Sequence, residues 1–247
     1  MDRPLGVPKA EFLDLVRRAL DRKPAAPDPA YPRLLDDVSA LQVEAKRIRA
    51  RLIETRPALL DRFAEVAEAG GWNVHRTSDP ENAMAHIQSV ADFLGVKNAV
   101  RSDQEVFAQI LVDAPLESTG ISVTTVSHSP DRSRESLRSS IIAADIGLTG
   151  ADYAVAETGS VIIMPRKGLS RLVSVVPPVH LALVRPEELV ESLDDLFLLR
   201  RLEYHEKGGE MGSYLNFITG PSRTADIEQT LVVGVHGPKE VHLVLLG

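Results

Sequence analysis

The chain has 247 residues, with 28 Lys and Arg against 35 Asp and Glu, a formal net charge of −7 and 44% apolar residues. That composition belongs to a folded globular protein; it excludes a disordered or fibrous chain, and the acidic balance speaks against a nucleic-acid footprint. Cysteine is absent, which excludes disulfides, thiolate catalysis and any iron–sulfur or zinc site with cysteine ligands from this chain.

No apolar run approaches 18 residues, and no apolar core of a secretory signal follows Met1-Asp2-Arg3-Pro4. The expectation is a cytoplasmic protein with no membrane span. The first third is patterned as helix. Phe12, Leu13, Val16, Ala19 and Leu20 fall on one face, and four prolines between Pro24 and Pro32 then make a stiff connector. A second helix carries Leu34, Leu35, Val38, Leu41, Ala45, Ile48 and Leu52, with Lys46, Arg47, Arg49 and Arg51 on a solvated face. Pro57 opens a third helix through Leu59, Leu60, Phe63 and Val66, which Gly70-Gly71 closes. These segments divide the chain into an N-terminal helical extension, residues 1–57, and an α/β domain, residues 58–247.

From Trp72 onward strands and helices alternate. Trp72–Arg76 is a strand; Asp79-Pro80 caps a helix that ends at Leu94-Gly95. Asn98–Arg101 is the next strand, 103–112 a helix, Ile121–Ser127 a β-branched strand and 132–144 a helix. Tyr153–Ala156 and Val161–Met164 are short apolar stretches. A buried strand, His180–Val184, precedes a helix expected over Pro186–Leu202, and Tyr214–Thr219 and Val241–Leu246 complete the set. Such alternation predicts a mostly parallel sheet with helices on both faces.

Three loops combine glycine, proline and small polar residues beside strands. In the first, Glu157 sits at a turn next to Thr158 and Gly159. A carboxylate so placed can act as base, nucleophile or hydrogen-bond acceptor, or the turn is simply polar. The second runs from Arg171, a candidate anion clamp, to His180, which either titrates near neutrality or sits as a satisfied core residue. In the third, Thr219 ends a strand, Gly220-Pro221 turns the chain, and Ser222 caps a helix starting at Arg223 and Thr224. Its free N–H groups and dipole would favour an anion, with Arg223 adding a donor fork. Asp226 and Glu228 in turn suit a helix start on structural grounds alone. The G-x-G-x-x-G, G-x-x-x-x-G-K-[ST], H-E-x-x-H and G-x-S-x-G motifs are absent, and the seven histidines show no paired metal-ligand spacing, so no metal site is expected.

Ala156-Glu157-Thr158-Gly159-Ser160, Val176-Pro177-Pro178-Val179-His180 and Gly220-Pro221-Ser222-Arg223-Thr224-Ala225-Asp226-Ile227-Glu228, followed by Gly234-Val235-His236-Gly237-Pro238, together resemble the LUD-domain family, lactate utilization protein C type. The likeness runs from about Ile141 to the C-terminus. It implies a Rossmann-like parallel sheet similar to the sugar-phosphate isomerase and CoA-transferase superfamily. It also implies a non-redox subunit supporting oxidation of L-lactate to pyruvate, with Cys-rich and iron–sulfur partners that hold the clusters and no cofactor in this chain. A small carboxylate is the implied ligand class. The alternatives are a self-sufficient CoA-transferase-like or sugar-phosphate-type enzyme using Glu157, or a small-molecule-binding regulatory subunit. Glu157-Thr158-Gly159 departs from the E-N-G turn of such transferases by Thr for Asn, and that parallel is one of fold alone.

Overall fold

The computed structural model describes residues 9–21, 37–127, 133–164, 171–209, 212, 214–225 and 231–247. The connector from Pro24 to Pro32, Leu34, Leu35, Arg132, Leu169, Ser170 and Asp226 to Glu228 lie outside the described residues. In chain order the elements begin with α1 (Lys9–Ala19), α2 (Val38–Glu54), α3 (Arg56–Gly70), β1 (Asn73–Thr77) and α4 (Pro80–Leu94). They continue with β2 (Asn98–Ser102), α5 (Val106–Gln109), α6 (Asp113–Ser118), β3 (Ser122–Val126), α7 (Arg134–Ile142) and β4 (Ile146–Thr149). Next come β5 (Tyr153–Val155), β6 (Ser160–Ile163), α8 (Leu172–Val175), β7 (Val179–Val184), β8 (Leu189–Val190) and α9 (Leu193–Glu206). The last are β9 (Asn216–Ile218), β10 (Arg223–Ala225), β11 (Leu231–Val233) and β12 (Glu240–Leu246).

Six strands form one parallel sheet in the order β1-β12-β7-β4-β2-β3. Its central strand β7 is buried along its whole length, as a strand covered on both faces must be. On one face α4, α5 and α6 bring Ile87, Phe107, Ile110 and Leu116 onto Ile146, Leu148, Leu181, Leu183 and Val244. The opposite face meets α3 and a second sheet, β8-β5-β6-β9, through Phe63, Ala67, Val161, Ile163, Ala182, Leu243 and Leu245. The outer side of that second sheet is closed by α2 and α9, with Leu41, Ala45, Ile48, Leu196 and Leu202 on Val155 and Ile162. Each fully buried Leu, Ile or Phe contributes about 1.5–3 kcal/mol over its exposed state. Among the described residues no helix is long and apolar enough to cross a membrane.

The sequence-encoded caps form as expected. The Asp79 side chain accepts from the Glu81 N–H with Pro80 behind it, and Gly71 and Gly95 end α3 and α4 at φ 100° and 64°. Three expectations change. The helix expected over 103–112 shrinks to the four residues of α5, because Ile110 and Val112 are both buried with exposed Leu111 between them, an extended stretch that separates α5 from α6. The helix expected over Pro186–Leu202 begins only at Leu193. Pro186–Glu188 is a 3-10 turn, Leu189–Val190 pairs with β5, and the Ser192 hydroxyl caps α9 by accepting from the Asp195 N–H. The strand β4 was not anticipated: it is four residues long and contains Gly147, where a Cβ would fall 1.8 Å from the Val173 carbonyl oxygen of α8.

The strand order has one consequence for ligands. From β2 the chain moves outward to β3, then returns past β2 to β4. In open α/β sheets the crevice outside the carboxyl ends at such a reversal is where ligands bind.

Candidate functional site

The Glu157 turn joins β5 to β6. Its N–H donates to the Glu191 carbonyl, and its carboxylate accepts from the Leu193 N–H at 3.1 Å. Leu193 is the first residue of α9, so the exposed Glu157 carboxylate serves as a second cap beside Ser192, where both orphan N–H groups and the helix dipole favour it. Gly159 has φ 63°, and a Cβ there would lie 2.7 Å from the Ala67 nitrogen of α3, so the turn requires glycine on both counts. Thr158 Oγ1 donates to Ser160 Oγ at 2.8 Å, and Ser160 Oγ lies 2.7 Å from Thr219 Oγ1. This hydroxyl chain ties the turn to the Gly220 loop.

That loop packs on the end of α3. A Cβ on Gly220 would fall 2.3 Å from the Gly70 carbonyl oxygen, and Arg223 Nη2 donates to the same oxygen at 3.3 Å. The expected helix start at Ser222 is absent. Arg223–Ala225 is β10, paired antiparallel with β11 so that Thr224 faces Val232. The β-branched residues Thr224, Val232 and Val233 favour a ribbon. The Ser222 N–H donates to the Pro238 carbonyl, its own carbonyl accepts from Gly234, and its hydroxyl accepts from the His236 N–H at 3.3 Å. No helix N-terminus is therefore available there to hold an anion.

His180 is fully buried near the start of β7. Its Nε2 lies 2.8 Å from Thr149 Oγ1, and its ring centroid lies 5.9 Å from that of Trp72. Its Nδ1 has no hydrogen-bond partner among the described residues. Burial, with a smaller contribution from nearby His242, holds the imidazole down to about 3, so it stays neutral at physiological pH. Arg171 stacks 5.5 Å over the Tyr214 ring, at the other end of β9 from Thr219. The structure thus gathers Thr158, Gly159, Gly220, Ser222 and Arg223 around Gly70-Gly71, with His180 beyond Trp72. Arg171 stands apart, and the Glu157 carboxylate turns to α9. This cluster lies by the amino ends of β1 and β12.

The carboxyl ends hold residues that sequence reasoning missed. Gln104 Oε1 accepts from the Ser102 hydroxyl and from the Gly150 N–H, both at 2.8 Å, bridging the ends of β2 and β4. Arg185, the first residue past β7, bonds Glu188 through its backbone N–H and its Nε, both at 2.8 Å. Burial pushes the Glu188 carboxyl up to about 7, against the pull of those hydrogen bonds. Across the sheet end, Arg185 Nη1 lies 3.8 Å from Glu105 Oε2. An Arg-Pro-Glu-Glu segment directly after an apolar strand was the available signal, but only the strand order brings it to Gln104. A separate open groove of about 640 Å³ between α2 and α9, lined by Asp37, Leu41, Glu44, Arg47 and Leu198 among others, contains none of the residues of the three candidate loops. Among the described residues no group of three or more His, Cys, Asp or Glu could hold a metal ion.

Comparison with known proteins places this architecture. The solved structure of a DUF162 family protein from Deinococcus radiodurans is similar in fold, with a TM-score of 0.52 and 21% identity over 78% of this chain and 98% of that one. The chain is 45% identical to lactate utilization protein C of Halalkalibacterium halodurans over 96 residues, 38% of this chain and 41% of that protein. It is 34% identical to lactate utilization protein C of Shouchella clausii over 154 residues, 62% and 63% of the two chains. Lactate utilization protein B of Shouchella clausii is 24% identical over 249 residues, 82% of this chain and 51% of that protein. The chain thus spans about half the length of the curated relatives it matches, from 41% to 63%. The family model described as LUD domain matches residues 60–246, which take in the parallel sheet and both loop clusters, and the chain belongs to the LUD-domain family.

Proposed function

We propose that the chain is a cytoplasmic, non-redox subunit of an L-lactate utilisation system, supporting oxidation of L-lactate to pyruvate with Cys-rich and iron–sulfur partner proteins. The observation that carries this reading is the LUD match over 60–246 together with relatives named lactate utilization proteins of both the B and C types. The absence of cysteine supports placing the clusters in the partners, with electron transfer left to them. Exposed Phe12 and Leu15 on α1, with Leu20 just past its end, suit a chain that packs against other subunits. In this reading residues 58–247 are the LUD-like domain and residues 1–57 its extension. The alternative enzyme that uses Glu157 as nucleophile is less well supported, because that carboxylate is engaged at the start of α9.

The test is deletion of the encoding gene in its host. Growth on L-lactate should fail while growth on pyruvate is kept, and the intact gene should restore it. Unimpaired growth on L-lactate would refute the reading.

A further inference from the structure

We propose that the chain forms a two-fold dimer in which α1 of each copy lies in the groove between α2 and α9 of the other. Each copy displays both halves of that contact, and among the described residues neither half is covered. Phe12, Leu13, Val16 and Leu20 stand on one side of α1 at helical spacing, with Leu15 beside them. All five are exposed, Phe12 at 56% and Leu20 at 59%. On the opposite side Asp14 pairs with Arg18 at 3.1 Å, so that side is suited to solvent. A helix of 11 residues is marginal by itself in water, and its stability has to come from packing an apolar face.

The groove offers the matching surface. Leu41, Val43 and Leu198 give it an apolar lining, and Val43 is 54% exposed in the middle of α2. An amphipathic helix laid in an apolar groove is a recurring mode of recognition. The charges agree with it. Glu44 and Arg47 neutralise each other at 3.2 Å, which leaves the acidic Asp37 at the groove's end. On α1, Arg17 borders the apolar side next to Leu13 and Leu20, and it has no ion pair among the described residues. Docking brings a cation on the helix to an anion on the groove.

The sequence of the link argues for a second copy rather than the chain's own helix. Residues 22–36 include Pro24, Pro27, Pro29 and Pro32. Proline-rich links favour extended, semi-rigid backbone of about 3.1 Å per residue. The link ends at Asp37, which itself lines the groove. Filling the chain's own groove would require such a link to reverse its direction, whereas reaching a neighbour requires only that it span a gap. Exchange is also closed: each copy uses its helix once and its groove once, and no surface is left over to build a filament. This dimer goes beyond the lactate reading and does not depend on it.

The experiment is sedimentation equilibrium of the 247-residue chain, followed by cross-linking. The wild type should be a dimer at micromolar concentration. Phe12→Glu on the helix and Val43→Lys in the groove both replace exposed side chains and so leave the monomer folded. Each should raise the dimer dissociation constant about ten-fold or more. The chain has no cysteine, so introduced ones report alone. An equal mixture of Leu15→Cys and Val43→Cys proteins, treated with a short bismaleimide, should give more covalent dimer than either protein by itself. A monomer throughout the micromolar range overturns the proposal, as does a dimer that neither charge variant weakens. A chain carrying both cysteines that cross-links only within itself also overturns it, and assigns the groove to the chain's own α1. So does a chain that stays monomeric alone and hides α1 only when Cys-rich and iron–sulfur proteins are added.

Discussion

Acidification from pH 7.5 to 5 should weaken the fold through His180. In the folded chain this imidazole is fully buried and held neutral, down to about 3 against an ordinary value of 6.5. The unfolded chain takes up the proton from 6.5 downward, so stability present above 6.5 is lost as pH falls from 6.5 toward 3. At pH 5 the solution lies 1.5 units below the unfolded value, and at 1.36 kcal/mol per unit the loss assigned to His180 is about 2 kcal/mol. Glu188 acts in the opposite sense. Its folded value of about 7 exceeds the ordinary 4.5, so its contribution is full below 4.5 and is lost as pH rises through 7. The wild-type drift therefore mixes the two, and the informative quantity is a difference between proteins. His180→Gln keeps a polar group toward Thr149 and removes the titration. Urea unfolding at pH 7.5 and 5 should show wild type losing about 2 kcal/mol more than the variant over that interval. Equal losses in the two proteins would refute the neutral, buried assignment.

Glu157→Ala should lower stability by about 0.5–2 kcal/mol through loss of the α9 cap, and Glu157→Gln, which keeps an acceptor oxygen, by less; thermal melts decide this. Gly147→Ala should cost about 1–3 kcal/mol or more, since the new methyl meets the Val173 carbonyl and α8 must lift off β4; denaturant midpoints measure it. Ser222→Ala removes an acceptor for the His236 N–H but no helix cap, so its loss should stay at about 1 kcal/mol or below in the same assay.

Much of the fold is legible in the sequence because its signals are local. Asp79-Pro80 and Gly95 bracket α4, Pro57 and Gly71 bracket α3, and the apolar run Leu181–Val184 of β7 announces a strand covered on both faces. What is not legible depends on partners distant in sequence. Leu189–Val190 reads as helix until β5 lies beside it, and Arg223–Ala225 reads as a helix start until β11 pairs with it. The candidate site divides along the same line. The glycine- and proline-rich loops stand out in sequence, and Gly159 and Gly220 indeed sit where a side chain would collide with α3. Gln104 and Arg185 carry no motif and are 81 residues apart; only the order β7-β4-β2 brings them to one sheet end. The Glu157 carboxylate looked chemical in sequence because nothing local shows that α9 begins beside it.

The most direct measurement of the central claim is dye-coupled oxidation of L-lactate by the purified Cys-rich and iron–sulfur partner proteins, with and without this chain. The account predicts that the chain alone reduces no dye, that it co-purifies with the partners, and that adding it raises lactate-dependent dye reduction. Full activity of the partners without the chain, or lactate oxidation by the chain alone, would contradict it.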